Sequence, residues 1–383
     1  VSGYDNELSK LVAELNRAAP SQKAPAARGP ESTASLERLL QRASGRNASD
    51  VILIAGAPPM LRINGNLAAA EPAPLDAEDV RSHVLPLLEA WQLEELQKKK
   101  SVDLGFMREN LGRFRVNLHY QRGTLAASIR LLPTRVPSLE WLHLPASLGK
   151  LADRRQGLVL VTGPTGCGKS STLAALIDIV NTRRAAHVVT IEDPIEYQHA
   201  NRSAVIEQIE VGRDTPDFAG TLRSIMRQTP DVILVGEMRD AETMATALTA
   251  AETGHLVLST LHTNDAIQAV ARILDSFPAA NQPQIRQQIS LALAAVIAQQ
   301  LVPGVDGIAR WPATEIMIAT DAVRALIRKG EDHQLRSQIS VGRAEGMMTM
   351  EQSLAELVRA GRITRESAEA HCFRTEDLKR YLA

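Results

Sequence analysis

The sequence predicts an α/β protein: a small α+β unit, then a larger unit built on a parallel sheet, with a mostly helical C-terminal end. Three observations carry this expectation. Four short apolar runs, GLVLV (157–161), VVTIE (188–192), DVILV (231–235) and HLVLS (255–259), have the length and content of strands buried on both faces. Helical patterns separate them, and strands alternating with helices form βαβ units around a parallel sheet. Upstream, RFRVNLHY (113–120) and AASIRLL (126–132) alternate apolar and polar residues as half-buried strands do.

In chain order, Leu8, Leu11, Val12 and Leu15 recur at helical spacing, which predicts a short amphipathic helix over 5–18. Residues 20–35 (PSQKAPAARGPESTAS) hold no large apolar side chain and read as a flexible linker, so residues 1–35 form an N-terminal extension. Residues 36–132 mix a helix (LERLLQRAS), a strand (DVILI), a Pro-Pro turn and further strands, the small α+β domain. Proline-punctuated residues 133–146 connect it to a second domain over 147–383. In that domain Leu173, Leu176, Ile177 and Val180 mark one helix, and residues 283–301, with Ile285, Ile289, Leu293 and Val296, are expected to continue as helix. So are residues 349–382. No repeat of fixed period occurs.

Composition narrows the function. Aromatic residues make up 3% of the 383, and 43 basic residues balance 44 acidic ones, so no base-stacking platform or basic stripe marks a nucleic-acid binder. The two cysteines, Cys167 and Cys372, lie far apart and outside any CxxC spacing, which argues against a zinc site or a disulfide framework. The longest apolar run, Leu291–Ala298, falls short of a membrane span, and no signal peptide opens the sequence. The expectation is a cytoplasmic protein without a transmembrane segment.

The chemistry begins at GPTGCGKSS (163–171), a G-x-x-x-x-G-K-S loop between an apolar strand and a helix, the setting of a Walker A loop. Gly163, Gly166 and Gly168 let the backbone turn its N–H groups inward toward phosphate oxygens, and the next helix adds its positive end. The nucleotide-binding set is Gly163, Pro164, Thr165, Gly166, Cys167, Gly168, Lys169, Ser170 and Ser171. Lys169 is placed to reach the β- and γ-phosphates of ATP, and Ser170 to ligate Mg²⁺. Cys167, near a helix N-terminus, raises the idea of a redox switch, but the plainer reading is a small side chain in a loop that works through its backbone.

Three further motifs follow. TIEDPIEY places Glu192 and Asp193 at the carboxyl end of a strand, with Glu196 one turn on. PDVILVGEMRD ends a second buried strand with Glu237. TGHLVLSTLHTNDA has His255 entering a strand and His262 leaving it. Ligands of parallel α/β sheets bind outside the carboxyl ends of the strands, so these acids can face phosphate. Glu237 is favoured as the base that activates water, and a Mg²⁺ contact from it is an open option. Glu192 stays an alternative base.

Together these four motifs, in this order, resemble the Walker A, Asp box, Walker B and His box of the secretion-motor ATPases. Within that superfamily the sequence is most similar to the PilT family of type IV pilus retraction ATPases. ASDVILIAGAPPMLRINGNL (48–67) resembles the opening of the family's N-terminal domain, and AVRALIRK (322–329) its AIRNLIRE motif. Two features depart from the family pattern: the N-terminal extension, and Ala325 and Lys329 in place of Asn and Glu.

The resemblance implies a PAS-like domain joined to a RecA-like ATPase core, assembled as a ring homohexamer with ATP between subunits. It implies that Arg113, Arg115 and Arg130 act on the γ-phosphate, and that His255, His262, Arg239, Arg324 and Arg328 couple nucleotide state to subunit contacts and pilus machinery. Independently, strand spacing puts Arg113 and Arg115 on one face, and helix spacing puts Arg324 and Arg328 on one outward ridge. The implied setting is the inner-membrane pilus base, with a PilC-like platform protein as partner and pilus retraction, hence twitching motility, as the output. Rival readings are a PilU-like accessory retraction ATPase, an assembly ATPase of pilus extension or type II secretion, and a nucleotide sensor that does not hydrolyse.

Overall fold

In a computed structural model that describes residues 31–383 apart from 64 and 134, the chain folds around two sheets. The helix expected over 5–18 lies outside the described residues. The first helix, α1 (Glu31–Gly45), opens inside the stretch read as linker, so the small domain begins upstream of residue 36.

The small domain is an antiparallel sheet in the order β3-β2-β1-β6-β5-β4: β1 Asp50–Ile54, β2 Met60–Ile63, β3 Asn66–Ala69, β4 Ser101–Arg108, β5 Gly112–Gln121 and β6 Thr124–Leu131. Along β5 the side chains alternate: Phe114, Val116 and Leu118 are buried, and Arg113, Arg115 and Asn117 face the other way. The buried face meets Leu36, Leu39 and Leu40 of α1, together with α2 (Ala77–Val84) and α3 (Ala90–Lys99).

The connector is not a free tether. Leu139 and Leu144, from the proline-punctuated stretch, are buried in the core of the second domain beneath one face of its sheet. That sheet runs β13-β12-β7-β11-β10-β8-β9. Its strands are β7 Gly157–Thr162, β8 His187–Glu192, β9 Val205–Glu210, β10 Val232–Val235, β11 Leu256–Leu261, β12 Leu293–Pro303 and β13 Arg310–Ile318. All neighbours are parallel except β12 and β13. The four apolar runs are thus β7, β8, β10 and β11.

Both faces are covered, as a parallel sheet requires. One carries α4 (Lys169–Arg183), whose Leu173, Leu176, Ile177 and Val180 are buried against it. The other carries α5 (Phe218–Ile225), α6 (Ala241–Glu252), α7 (Ala266–Asp275), α8 (Gln282–Ala292), α9 (Asp321–Lys329) and α10 (Leu335–Val341). Helices α11 (Met350–Arg359), α12 (Arg365–His371) and α13 (Thr375–Leu382) close a smaller core on Val302 and Ala313.

A second expectation is corrected. Residues 283–301 are not one helix: α8 ends at Ala292, and Leu293 starts β12, which lies between β7 and β13 with Leu293–Ala298 buried. A run that is apolar on both faces fits a buried strand and a buried helix equally, so periodicity does not separate them.

Candidate nucleotide site and its neighbours

The phosphate loop leaves the carboxyl end of β7 and enters α4. Gly163, Gly166 and Gly168 have φ of +141°, +79° and +94°, conformations that side-chain-bearing residues rarely adopt. Among the described residues the Gly166 and Gly168 amides have no acceptor. Lys169 Nζ donates to the carbonyls of Gly163 (2.9 Å) and Pro164 (3.0 Å), which hold the ammonium over the loop. Desolvation pulls its pKa down, while the Cys167, Glu237 and Glu196 side chains push it back up. These donors fit a polyphosphate. Ser170, beside Lys169 in the first turn of α4, offers a hydroxyl suited to a hard divalent cation. Among the described residues no group of three metal-ligating side chains occurs.

Around this loop the motifs fall into separate places. Glu237, just beyond β10, is ion-paired with Arg239 and lies 3.6 Å from His262 Nε2, and the Glu237 hydrogen bond raises the Arg239 pKa. Glu192 accepts from Thr190 Oγ1 (2.7 Å) and Gln208 Nε2 (3.2 Å), and desolvation pushes its carboxyl above the ordinary range. Gln208 also donates to the Tyr197 carbonyl (2.8 Å), and the Tyr197 hydroxyl meets Ser171 Oγ at 2.7 Å. The Asp box is thereby bonded to the phosphate helix. Cys167 is buried, and desolvation raises its thiol pKa, the reverse of what a reactive thiolate needs.

Gln299 was not singled out by the sequence. From β12, its Nε2 donates to the Cys167 carbonyl (2.6 Å) and its Oε1 accepts from Thr172 (2.8 Å), so a buried amide ties the middle of the loop to the first turn of α4. No motif flags it, because it lies in the run misread as helix.

Other expected site residues are elsewhere. His255 stands at the amino end of β11, at the opposite sheet edge from the phosphate loop, with Nδ1 on the Ala250 carbonyl (2.9 Å). Arg324 is not on a solvated ridge. Its Nη1 donates to the Ser290 and Leu291 carbonyls (2.6 Å each) and its Nε to that of Ala319 (3.0 Å), and desolvation lowers its pKa. Its side chain bends across to the end of α8, while Arg328 is exposed. Arg113, Arg115 and Arg130 do share a face, with Arg115 directly opposite Arg130. Within one chain each meets a carboxylate instead of the phosphate loop: Arg113 pairs with Glu210 of β9, Arg115 lies 3.9 Å from Asp103, and Arg130 is 2.9 Å from Asp50.

A glycine-turned loop, its lysine and flanking carboxylates, all at the carboxyl edge of one parallel sheet, form a nucleoside-triphosphate site. Residues 126–372 match the family described as Type II/IV secretion system protein. The chain belongs to this family. Among its relatives, the twitching motility protein of Neisseria gonorrhoeae is 44% identical over 90% of this chain and 92% of its own length. The type IV pilus ATPase PilU of Pseudomonas aeruginosa is 41% identical over 90% of both. A crystal structure of the pilus retraction motor PilT with bound ADP superposes with a TM-score of 0.84 at 42% identity, over 90% of this chain and 98% of that one. As a secretion-family ATPase the chain binds nucleotide, and the α/β fold with a small N-terminal domain is the family's own. Among the described residues no helix is long and apolar enough to cross a membrane.

Proposed function

We propose that this chain is a Mg²⁺-dependent ATPase motor that drives type IV pilus retraction. The observation that carries the chemistry is the Lys169 ammonium, held over a glycine-turned loop with Glu237 and Glu196 as the carboxylates it feels. Lys169 and the loop amides neutralise the β- and γ-phosphates, and Glu237 orients and deprotonates the attacking water. Ser170 would hold Mg²⁺, which would supply charge neutralisation at the phosphates. Glu192, bonded twice and raised in pKa, supports the loop side of the site and is the weaker candidate for base. Arg113, Arg115 and Arg130 complete the site from the small domain when subunits assemble, and a ring homohexamer at the cytoplasmic face of the inner membrane, on a platform protein of the pilus, is the assembly proposed. The twitching motility relative, similar along nine-tenths of the chain, supports retraction as the output. The PilU relative supports an accessory retraction role as the second reading.

Two measurements test this. Glu237→Gln keeps the shape of the site but accepts no proton, so it retains ATP binding and loses turnover by at least about a hundredfold. Parental turnover in that variant removes the base assignment. A strain deleted for the protein should keep surface pili and lose twitching; a strain without pili would instead point to pilus assembly.

A further inference from the structure

Glu315 is among the most buried carboxyls of the chain, 1% exposed on β13, and no motif of the family's nucleotide chemistry includes it. In the sheet it is directly opposite Ala298 of β12, which pairs in turn with Thr162, the last residue before the phosphate loop. Its Oε1 accepts from the backbone N–H of Ala266 at 2.9 Å. Ala266 is the first residue of α7 and is itself buried. The short turn between β11 and α7 is His262-Thr263-Asn264-Asp265, and His262 is the residue that faces Glu237.

That turn is held at three points. Its start is fixed by β11, paired with β7 up to Leu261. Asp265 caps α7 by accepting from the Gln268 amide (2.7 Å), and Gln268 Oε1 accepts from the Asn264 amide (3.3 Å). Both of those bonds are internal to the turn and its helix. Glu315 alone, of these contacts, ties the far end to the sheet.

We propose that Glu315 is a positioning residue for ATP hydrolysis: by holding the Ala266 N–H to β13 it fixes the β11–α7 turn that presents His262 to Glu237. The inference rests on Glu237 and His262 belonging to the hydrolytic site. A nonpolar core residue would pack the same space but leave an orphan amide at the start of α7, and helix ends do not bury such donors without a partner. The carboxyl also feels charged groups on the helices packed around it. Arg336 of α10 attracts it, and Asp265, the cap of α7, and Glu351 of α11 repel it. Glu351, 1% exposed, is itself satisfied by Arg336 Nη2 (3.4 Å) and the Phe373 and Arg374 amides (3.1 Å each).

The test is steady-state ATP turnover of the full chain with Glu315→Ala, Glu315→Gln, His262→Ala and the Glu315→Ala/His262→Ala pair, alongside Glu237→Gln. Glu315→Ala should lower kcat about tenfold with KM for ATP changed less than about threefold, since the loop donors are untouched. Glu315→Gln keeps an acceptor oxygen and the side-chain length, so it should recover most of kcat, and it keeps the proposal testable if the alanine variant fails to fold. The double variant should be no slower than His262→Ala alone, because both changes break one unit. Losses that multiply, or a glutamine variant as slow as the alanine one, overturn the proposal. If Glu237→Gln turns over at the parental rate, the reading of the site fails first. If Glu237→Gln is inactive while Glu315→Ala keeps its kcat, the positioning role alone fails.

Discussion

A methyl group on Gly163 would overlap the Gln299 carbonyl oxygen and lie 2.7 Å from the Cys167 sulfur, so β12 sets the width of the phosphate loop as firmly as the loop's own glycines do. The glycines were legible in the sequence because only glycine adopts their backbone angles cheaply. Gln299 was not, because a polar residue inside an apolar run carries no sign of what it will meet. The same holds for Glu315, whose environment has a measurable consequence. Burial, with Asp265 and Glu351 adding to it, moves its pKa up to about 7. Between its ordinary value of 4.5 and about 7, the unfolded chain has released this proton and the folded chain keeps it. Raising pH through that window therefore favours unfolding, by up to about 1.4 kcal/mol per pH unit, and the effect levels off above it. Glu315→Gln has no proton to lose. In denaturant melts at about pH 5 and about pH 8 the variant should gain on the parent at the higher pH. An unchanged difference at the two pH values would place the carboxyl in a less desolvated setting than its burial indicates.

Among the elements, α9 separates what periodicity reveals from what it hides. Val323, Leu326 and Ile327 form the inward stripe that their spacing predicts, with Val323 and Ile327 buried. Spacing also placed Arg324 and Arg328 on one ridge, and to that extent it was right. It carried no information about the neighbour beside that ridge, the C-terminal end of α8, whose last carbonyls have no partner within their own helix. Arg324 satisfies two of them with its guanidinium, a favourable place for a cation at the negative end of a helix dipole. The two arginines should thus behave differently. Arg324→Ala should lower stability by about 1–3 kcal/mol, since charge-assisted bonds to the last carbonyls of α8 are lost. Arg328→Ala should stay within about 0.5 kcal/mol of the parent, as exposed substitutions do. Thermal melts of the two single variants decide it. Equal melting temperatures would mean that the carbonyls of α8 find water as readily as Arg324.

At the scale of the molecule, two units meet where β5 of the small sheet reaches β9 of the large one. Arg113, 11% exposed along its side chain, pairs there with Glu210, which also accepts from the Ile195 amide (3.1 Å). Glu210 stands opposite Glu192 in the strand register, so this contact adjoins the Asp box. A small α+β unit ahead of a parallel α/β core, four of that core's strands and the phosphate loop were all legible, because each rests on local pattern. Edge strand β9 and the β12–β13 pair were not, because what defines them is the partner strand. Nor does any local pattern say that Arg113 meets a carboxylate within its own chain. On the composite site proposed above, the arginine has two competing demands: the tie to Glu210 inside one chain, and the γ-phosphate. The two demands predict different kinetics. If the tie were its whole role, Arg113→Ala and Glu210→Gln would remove the same interaction and cost the same. If Arg113 acts on phosphate, Glu210→Gln loosens a competitor, while Arg113→Ala removes transition-state charge. We expect Arg113→Ala to lower kcat at least about tenfold with nucleotide affinity held within about threefold, and Glu210→Gln to keep at least about half of kcat. Turnover and ADP-binding measurements on the assembled enzyme make the comparison, and equal losses in the two variants would confine Arg113 to joining the domains.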